Sequence, residues 1–305
     1  MNVFRFGFEA MGSGCEAVIA AENKKEAQTF ARLAIDEVTR IEYKYSRYRS
    51  GNIVSRINAS AGHDWVKCDK ETLALIHYAD TLYESSGGLF DITSGILRKA
   101  WNFSKAVVPA PATVSSLLAR IGWKTVERKG NAIRLPLAGM QIDFGGFGKE
   151  YAADRAAAVV NAEGVKHGYV NLAGDVRVVG PKPDGTPWSV GIQDPRHESR
   201  MIATIPLFTG ALATSGDYER FFEAGGSRYC HIIHPGSGYP VTYWRSVTVV
   251  APLAVTAGSF STIAMLKEAD GLKFLEDSGM DYFAVDKQGE IYYRHKDAEC
   301  TECKT

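Results

Sequence analysis

No apolar run in this sequence approaches the ~18 residues that a membrane helix requires. The longest, such as Val247 to Val255, stop well short, so no membrane span is expected. Net charge is missing too: 35 basic residues balance 35 acidic ones. Without a global basic field, neither nucleic acid nor an anionic membrane is expected as a partner. Cysteine is sparse, with five residues at 15, 68, 230, 300 and 303. Their odd number and scatter suit a reducing compartment better than a disulfide framework. No repeat of 20 to 50 residues, low-complexity tract or obvious linker divides the chain. The N-terminal stretch carries Arg5 and Glu9 where a signal peptide needs an unbroken apolar core. The expected compartment is therefore the cytoplasm, with export only if a leader preceded this chain. Two common phosphate motifs are also absent: there is no G-x-G-x-x-G, and Lys149 lacks the glycine pattern of a P-loop.

What is present is an ordinary globular composition, 305 residues with 45% apolar and 23% charged, ample for a core. Period-2 and period-3.6 patterns alternate along it. Cys15 to Ala21 reads as a strand and Glu26 to Tyr43 as a core-facing helix. Asn52 or Ser50 caps a short helix carrying Ile53, Val54 and Ile57, and Lys70 to Ser85 forms another helix, closed by Gly87-Gly88. In Leu89-Phe90-Asp91-Ile92-Thr93, the acid beside aromatics either clamps a ring or caps the helix that follows. Trp123 to Leu135 reads as a hairpin around Gly130. Gln141 to Ala156 reads as strand, glycine turn and helix start, where N–H groups can meet a phosphate; the alternative is a plain turn with an exposed Lys149. Strands follow at 168–180, 188–192, 201–207, 210–214 and 246–251, helices at 255–267 and 271–277, and a closing hairpin at 282–293. The pattern predicts one α+β unit over residues 1–295, with a polar tail, 296–305, holding Cys300 and Cys303.

The densest chemistry lies in residues 211–238, ALATSGDYERFFEAGGSRYCHIIHPGSG. Thr214, Ser215, Gly216 and Asp217 read as a turn ending a buried strand, which favours an anion or a metal-phosphate. Gly225-Gly226 turns a hairpin whose returning strand, Arg228 to Ile233, carries His231. His231 and His234 are either a buried structural residue and a turn residue, or functional groups. Cys230 should face away from His231 and belong to the core.

Eight segments in order resemble the ApbE family of FAD:protein FMN transferases: Met11-Gly12-Ser13, SRYRSGNIVSRIN, GGLFDITSGILRKAW, DFGGFGKEYAAD, NLAGD, TSGDYERFF, YCHIIHPGSG and TAGSFSTIAM, within residues 10 to 292. The resemblance implies an ApbE-like, T-fold-related α+β fold with mixed sheets and packed helices. It further implies FAD in a cleft, Mg²⁺ at the pyrophosphate, and transfer of FMN to a threonine hydroxyl of a partner flavoprotein as AMP leaves. Carried over by position, Met11, Tyr48, Leu89, Phe90, Asp91, Asp143, Lys149 and Ile233 contact the flavin nucleotide, and His231 is the base or acid. Gly146, Ser261 and Thr262 fall at the metal. The chain also departs from the pattern: Gly258 stands where the family has Asp, Glu150 where glycine follows the lysine, and His234 where a D-P-x-T-G turn begins. Loss of the acid at 258 removes a hard oxygen ligand and counts against magnesium. Two classes follow: a transferase with an altered metal site, His234 being a substitute ligand, or a flavin-binding relative that has lost catalysis.

Overall fold

The computed structural model describes residues 1–294 and the backbone of residues 299–300. The rest of the predicted tail, with Cys303, lies outside the described residues. The sequence reading passes over the first strand, β1 (Asn2–Ala10), although Phe4, Phe6 and Phe8 alternate with a period of two. It pairs with β2 (Ser13–Ala21) through a two-residue turn, Met11-Gly12, both at positive φ. That is the turn whose twist suits a hairpin. Helix α1 (Lys24–Tyr45) is capped by the Asn23 side chain, and α2 (Ile53–Ala59) by that of Asn52, as its sequence predicts. After β3 (Val66–Lys67) comes α3 (Lys70–Ser85), capped by Asp69. A 3-10 helix, Ile92–Lys99, precedes α4 (Pro111–Leu118).

The hairpin expected from Trp123 is shorter, β4 (Glu127–Lys129) with β5 (Ala132–Arg134), because 123–125 is a 3-10 turn. Residues 141–143 join no sheet; the chain reaches α5 (Gly148–Ala162) as an irregular segment held by the Asn58 side chain at both polar atoms of the Ile142 backbone. Then follow β6 (Gly168–Leu172), β7 (Asp175–Gly180), β8 (Trp188–Asp194), β9 (His197–Leu207), β10 (Ala211–Gly216), β11 (Phe221–Ala224), β12 (Ser227–Cys230) and β13 (Trp244–Ala251). Helices α6 (Ala254–Leu266) and α7 (Gly271–Ser278), strands β14 (Asp281–Asp286) and β15 (Ile291–Arg294), and a two-residue β16 (Glu299–Cys300) against β9 complete the chain.

The centre is an eight-stranded sheet in the order β1-β2-β6-β7-β10-β13-β14-β15, every pair antiparallel. Its inner strands are buried on both faces, so their residues split by parity between two cores. Ala17, Ile19, Ala211, Ala213, Val247 and Val249 meet the helices α1, α5 and α6. Val18, Leu212, Phe283 and Val285 meet the β8–β9 hairpin on the other side. The strand expected over 210–214 runs on to Gly216, so Ser215, expected in a turn, is inside β10. By the same parity Ser215 faces α6, where its Oγ lies 2.8 Å from Ser261 Oγ and 3.0 Å from Thr262 Oγ1.

Candidate active site

One cavity of about 760 Å³ opens beside the first turn of α5, between the β1–β2 turn, the 3-10 helix at 92–99 and the chain leaving β12. It is lined by Met11, Tyr48, Leu89, Phe90, Asp91, Asp143, Gly146, Lys149, His231, Ile233 and Thr262, which are the residues singled out from the sequence with one exception. Ser261 is fully buried one layer behind the wall, its Oγ 2.9 Å from the Gly258 carbonyl oxygen and hydrogen-bonded to Ser215. Tyr48 stands at the rim, 77% exposed, with the Arg47 guanidinium over its ring.

Several wall residues also have structural duties. Asp91 is buried, and its carboxylate accepts the Thr93 N–H and hydroxyl and, at 3.0 Å, the Trp123 N–H. Its oxygens are therefore engaged as a cap, the second of the two readings open for it. Phe90 stacks on Phe147 and sits where a side chain at 146 would go, 2.8 Å from a Cβ there, so only glycine fits. Asp143 binds Arg47 at 2.8 Å and accepts the Gly145 N–H, fixing the approach to α5. The N-cap of α5, Phe147, offers no side-chain acceptor, and the first-turn N–H of Gly148 is taken by the Phe144 carbonyl at 2.7 Å.

The polar end holds a buried ionic cluster. Lys149 Nζ is 2.8 Å from Asp175 Oδ2, and Asp175 is 2% exposed at the start of β7. Burial works against the lysine's charge, but Asp175 and Glu150 outweigh it and raise its pKa. Lys149 is thus paired rather than simply exposed. Glu150, next along the same helix turn, is buried with Oε2 lacking any hydrogen-bond partner. Its pKa is pushed up to about 8, by burial first and then by Asp175, with Lys149 opposing.

His231 lies just past the end of β12 rather than on it, because the ladder ends at the Phe221–Cys230 pair. Its Nδ1 is buried without a partner. Burial, then Arg98, Arg220 and Lys149 in that order, lower its pKa to about 3, so the imidazole is neutral at physiological pH. Three cations beside a neutral imidazole form a receptor for polyanionic oxygen and hold the ring in its unprotonated form. Cys230 is core: its Sγ lies near the carbonyls of Ile232 and Val241, and burial raises the thiol to about 12. His234 does not line the cavity; its Nδ1 accepts the N–H groups of Gly236 and Ser237, so it is a turn residue and not placed as a substitute ligand.

Sequence reasoning missed Arg98, Glu219 and Arg220 in the wall and the pairing of Asp175 with Lys149. All four lie within motifs already singled out, Arg98 in GGLFDITSGILRKAW, Asp175 in NLAGD, and Glu219 and Arg220 in TSGDYERFF, but nothing in the motifs tells which of their side chains face the cavity.

Apolar lining by Ile41, Phe90, Phe144 and Ile232 together with the cations Arg98, Lys149 and Arg220, at this volume, suits a ring-bearing ligand with phosphates. The chain belongs to the ApbE family, whose profile matches residues 11–284. Among curated relatives, the FAD:protein FMN transferase of Treponema pallidum is 32% identical over 240 residues, covering 72% of this chain and 66% of that protein. That of Vibrio cholerae is 29% identical over 262 residues, 83% of this chain and 77% of the relative. Among solved structures, the ApbE protein of Thermotoga maritima superposes with a TM-score of 0.89 at 33% identity, covering 96% of this chain and 97% of its own. The Pseudomonas stutzeri flavinyl transferase ApbE, in its apo form, gives 0.84 at 27% identity, covering 99% and 95%.

Proposed function

We propose that this chain is an FAD:protein FMN transferase that binds FAD as substrate and moves its FMN part to a threonine hydroxyl of an acceptor flavoprotein, releasing AMP. The names of its relatives support the reaction. The observation that carries it is the meeting, in one cavity, of a neutral His231 with Arg98, Arg220 and Lys149.

In the transfer, the threonine oxygen bonds to the FMN phosphorus while the bond from that phosphorus to the bridging oxygen breaks. AMP departs with that oxygen. Arg98, Arg220 and Lys149 offset the diphosphate charge, which is most of what phosphoryl transfer asks of a protein. His231 takes the hydroxyl proton. Burial comes first in holding its pKa down and the cations second; bringing the diphosphate in offsets the cations and raises the basicity of the imidazole by their part. The apolar wall orients the ring system and excludes water from the reacting phosphorus.

Mg²⁺ belongs to this reading. Among the described residues no group of three or more His, Cys, Asp and Glu is arranged as a metal cage. Magnesium commonly uses one or two carboxylates together with substrate phosphates, so a cage is not needed. The unpartnered, buried Glu150 oxygen is the feature that fits a cation here. Glu150, the Gly146 carbonyl and the Thr262 hydroxyl, all residues of the cavity wall, would hold it, and when bound it would supply neutralisation of the diphosphate.

The test is incubation of the purified protein with FAD and a threonine-bearing acceptor flavoprotein, with and without Mg²⁺. AMP release by chromatography and flavin fluorescence retained on the denatured acceptor are the expected products. FAD held tightly but recovered intact in Mg²⁺ or Mn²⁺ would make this a flavin-binding protein without catalysis.

A further inference from the structure

Helices α5 and α6 meet at Gly258, and what fills the space there is the side chain of Glu150. A Cβ on residue 258 would lie 2.5 Å from Glu150 Cγ and 2.6 Å from Oε1. The glutamate therefore occupies the volume that any side chain at 258 would take, and it delivers its carboxylate to the face of α6 that bears residues 261 and 262, three and four places on. There the hydroxyls of Ser215, Ser261 and Thr262 form a connected set. Two buried carboxylates, Glu150 and Asp175, share one ammonium, Lys149, in an ion pair to Asp175. With that ammonium taken by Asp175, the Glu150 Oε2 stands without a partner in the cavity wall. A buried carboxyl oxygen left in this way is costly unless a partner joins it.

Resting on the transferase reading, we propose that Glu150 is the carboxylate ligand of the active-site divalent cation, reaching from α5 into the place where a side chain on α6 would otherwise supply it. The changes at 150 and 258 are then one exchange: the acid has crossed a helix–helix contact without leaving the site. Neither position is explained without the other, since an acid at 258 and a glutamate at 150 do not fit together.

Mn²⁺ binding by the whole protein, followed by the loss of free-ion paramagnetic resonance signal in the presence of ADP as a diphosphate, reads this directly. Glu150→Gln, which keeps the shape and removes the charge, should weaken Mn²⁺ at least tenfold while FAD binding in metal-free buffer persists. Gly258→Asp alone should be crowded and gain no affinity. Glu150→Gly with Gly258→Asp should return Mn²⁺ affinity to within about threefold of the parent, on the premise that one coordinating carboxylate replaces another. Unchanged Mn²⁺ affinity in Glu150→Gln overturns the proposal, as does a folded double variant that binds FAD but no Mn²⁺. If the double variant does not fold, Glu150→Gln decides alone. Glu150-dependent Mn²⁺ uptake by a protein that neither binds nor cleaves FAD would sink the transferase reading and leave the ligand assignment standing.

Discussion

Replacing Gly258 with alanine asks whether the α5–α6 contact is built around the Glu150 side chain. The new methyl would sit 2.5 Å from Glu150 Cγ, 2.6 Å from Oε1 and 2.8 Å from Cδ. Overpacking of this kind costs ~1–3 kcal/mol. Helix propensity acts the other way, because alanine exceeds glycine by about 1 kcal/mol in a helix interior. The net expectation is a loss of up to about 2 kcal/mol in the parent. With Glu150→Ala made first, the obstacle is gone and Gly258→Ala should stabilise by about 1 kcal/mol. The sign reverses, which amounts to a coupling of roughly 1–3 kcal/mol, above the ~0.5 kcal/mol scatter of independent sites. Thermal midpoints of the four proteins in metal-free buffer measure it, at roughly 2 °C per kcal/mol for a chain of this size. Equal shifts in both backgrounds would refute the packing argument and, with it, the claim that 150 and 258 share one volume.

Three further outcomes are expected. The folded state resists protonation of His231 down to about 3, whereas an unfolded histidine takes its proton near 6.5. The stability this residue contributes is therefore complete above pH ~6.5 and is lost as pH falls from there toward 3, by at most ~3 kcal/mol at pH 4; in ligand-free protein, His231→Gln should flatten the fall in thermal midpoint between pH 7 and 4, and a parallel pair of curves would count against a buried neutral ring. Alanine at Arg98 or Arg220 should weaken FAD roughly tenfold each by fluorescence titration, with a shallower salt dependence and little change in thermal midpoint; unchanged affinity would remove the cationic end from the binding account. Burial raises the thiols of Cys230 to about 12 and Cys68 to about 11, so iodoacetamide followed by peptide mass spectrometry should find both unmodified until denaturant is added, and rapid native labelling of Cys230 would contradict its place in the core.

Most of the elements could be read in advance because their signals are local. Asn52 before a short apolar helix, Gly130 and Gly225-Gly226 in their turns, and the stripe along Lys70–Ser85 each carry a mechanism within a few residues. The misreadings have physical causes as well. Ser215 looks like a turn residue by composition, yet it extends β10 because its hydroxyl finds Ser261 and Thr262 on a helix far along the chain. Residues 141–143 look like a strand, but the Ile142 backbone is satisfied by the Asn58 side chain and the Asp143 N–H by the Ile92 carbonyl, not by a neighbouring strand. All but one of the positions singled out line one cavity, Ser261 lying behind its wall. What their segments do to one another was hidden: that Asp91 spends its oxygens on Thr93 and Trp123, and that Glu150 fills the hollow of Gly258, are facts of contact between residues remote in sequence.

The β1–β2 hairpin has one flank covered only much later in synthesis. Strand β2 pairs with β6, whose first residue, Gly168, comes about 150 residues downstream. At ~5–20 residues per second a ribosome takes roughly 10–30 s to make that stretch. For that interval the nascent chain carries an unpaired strand of small apolar residues, Ala17 to Ala21, with a finished hairpin behind it. Such an edge invites pairing with other chains. A newborn copy of this protein should therefore depend on chaperone cover early in translation, and lose that dependence once the β6–β7 turn has emerged.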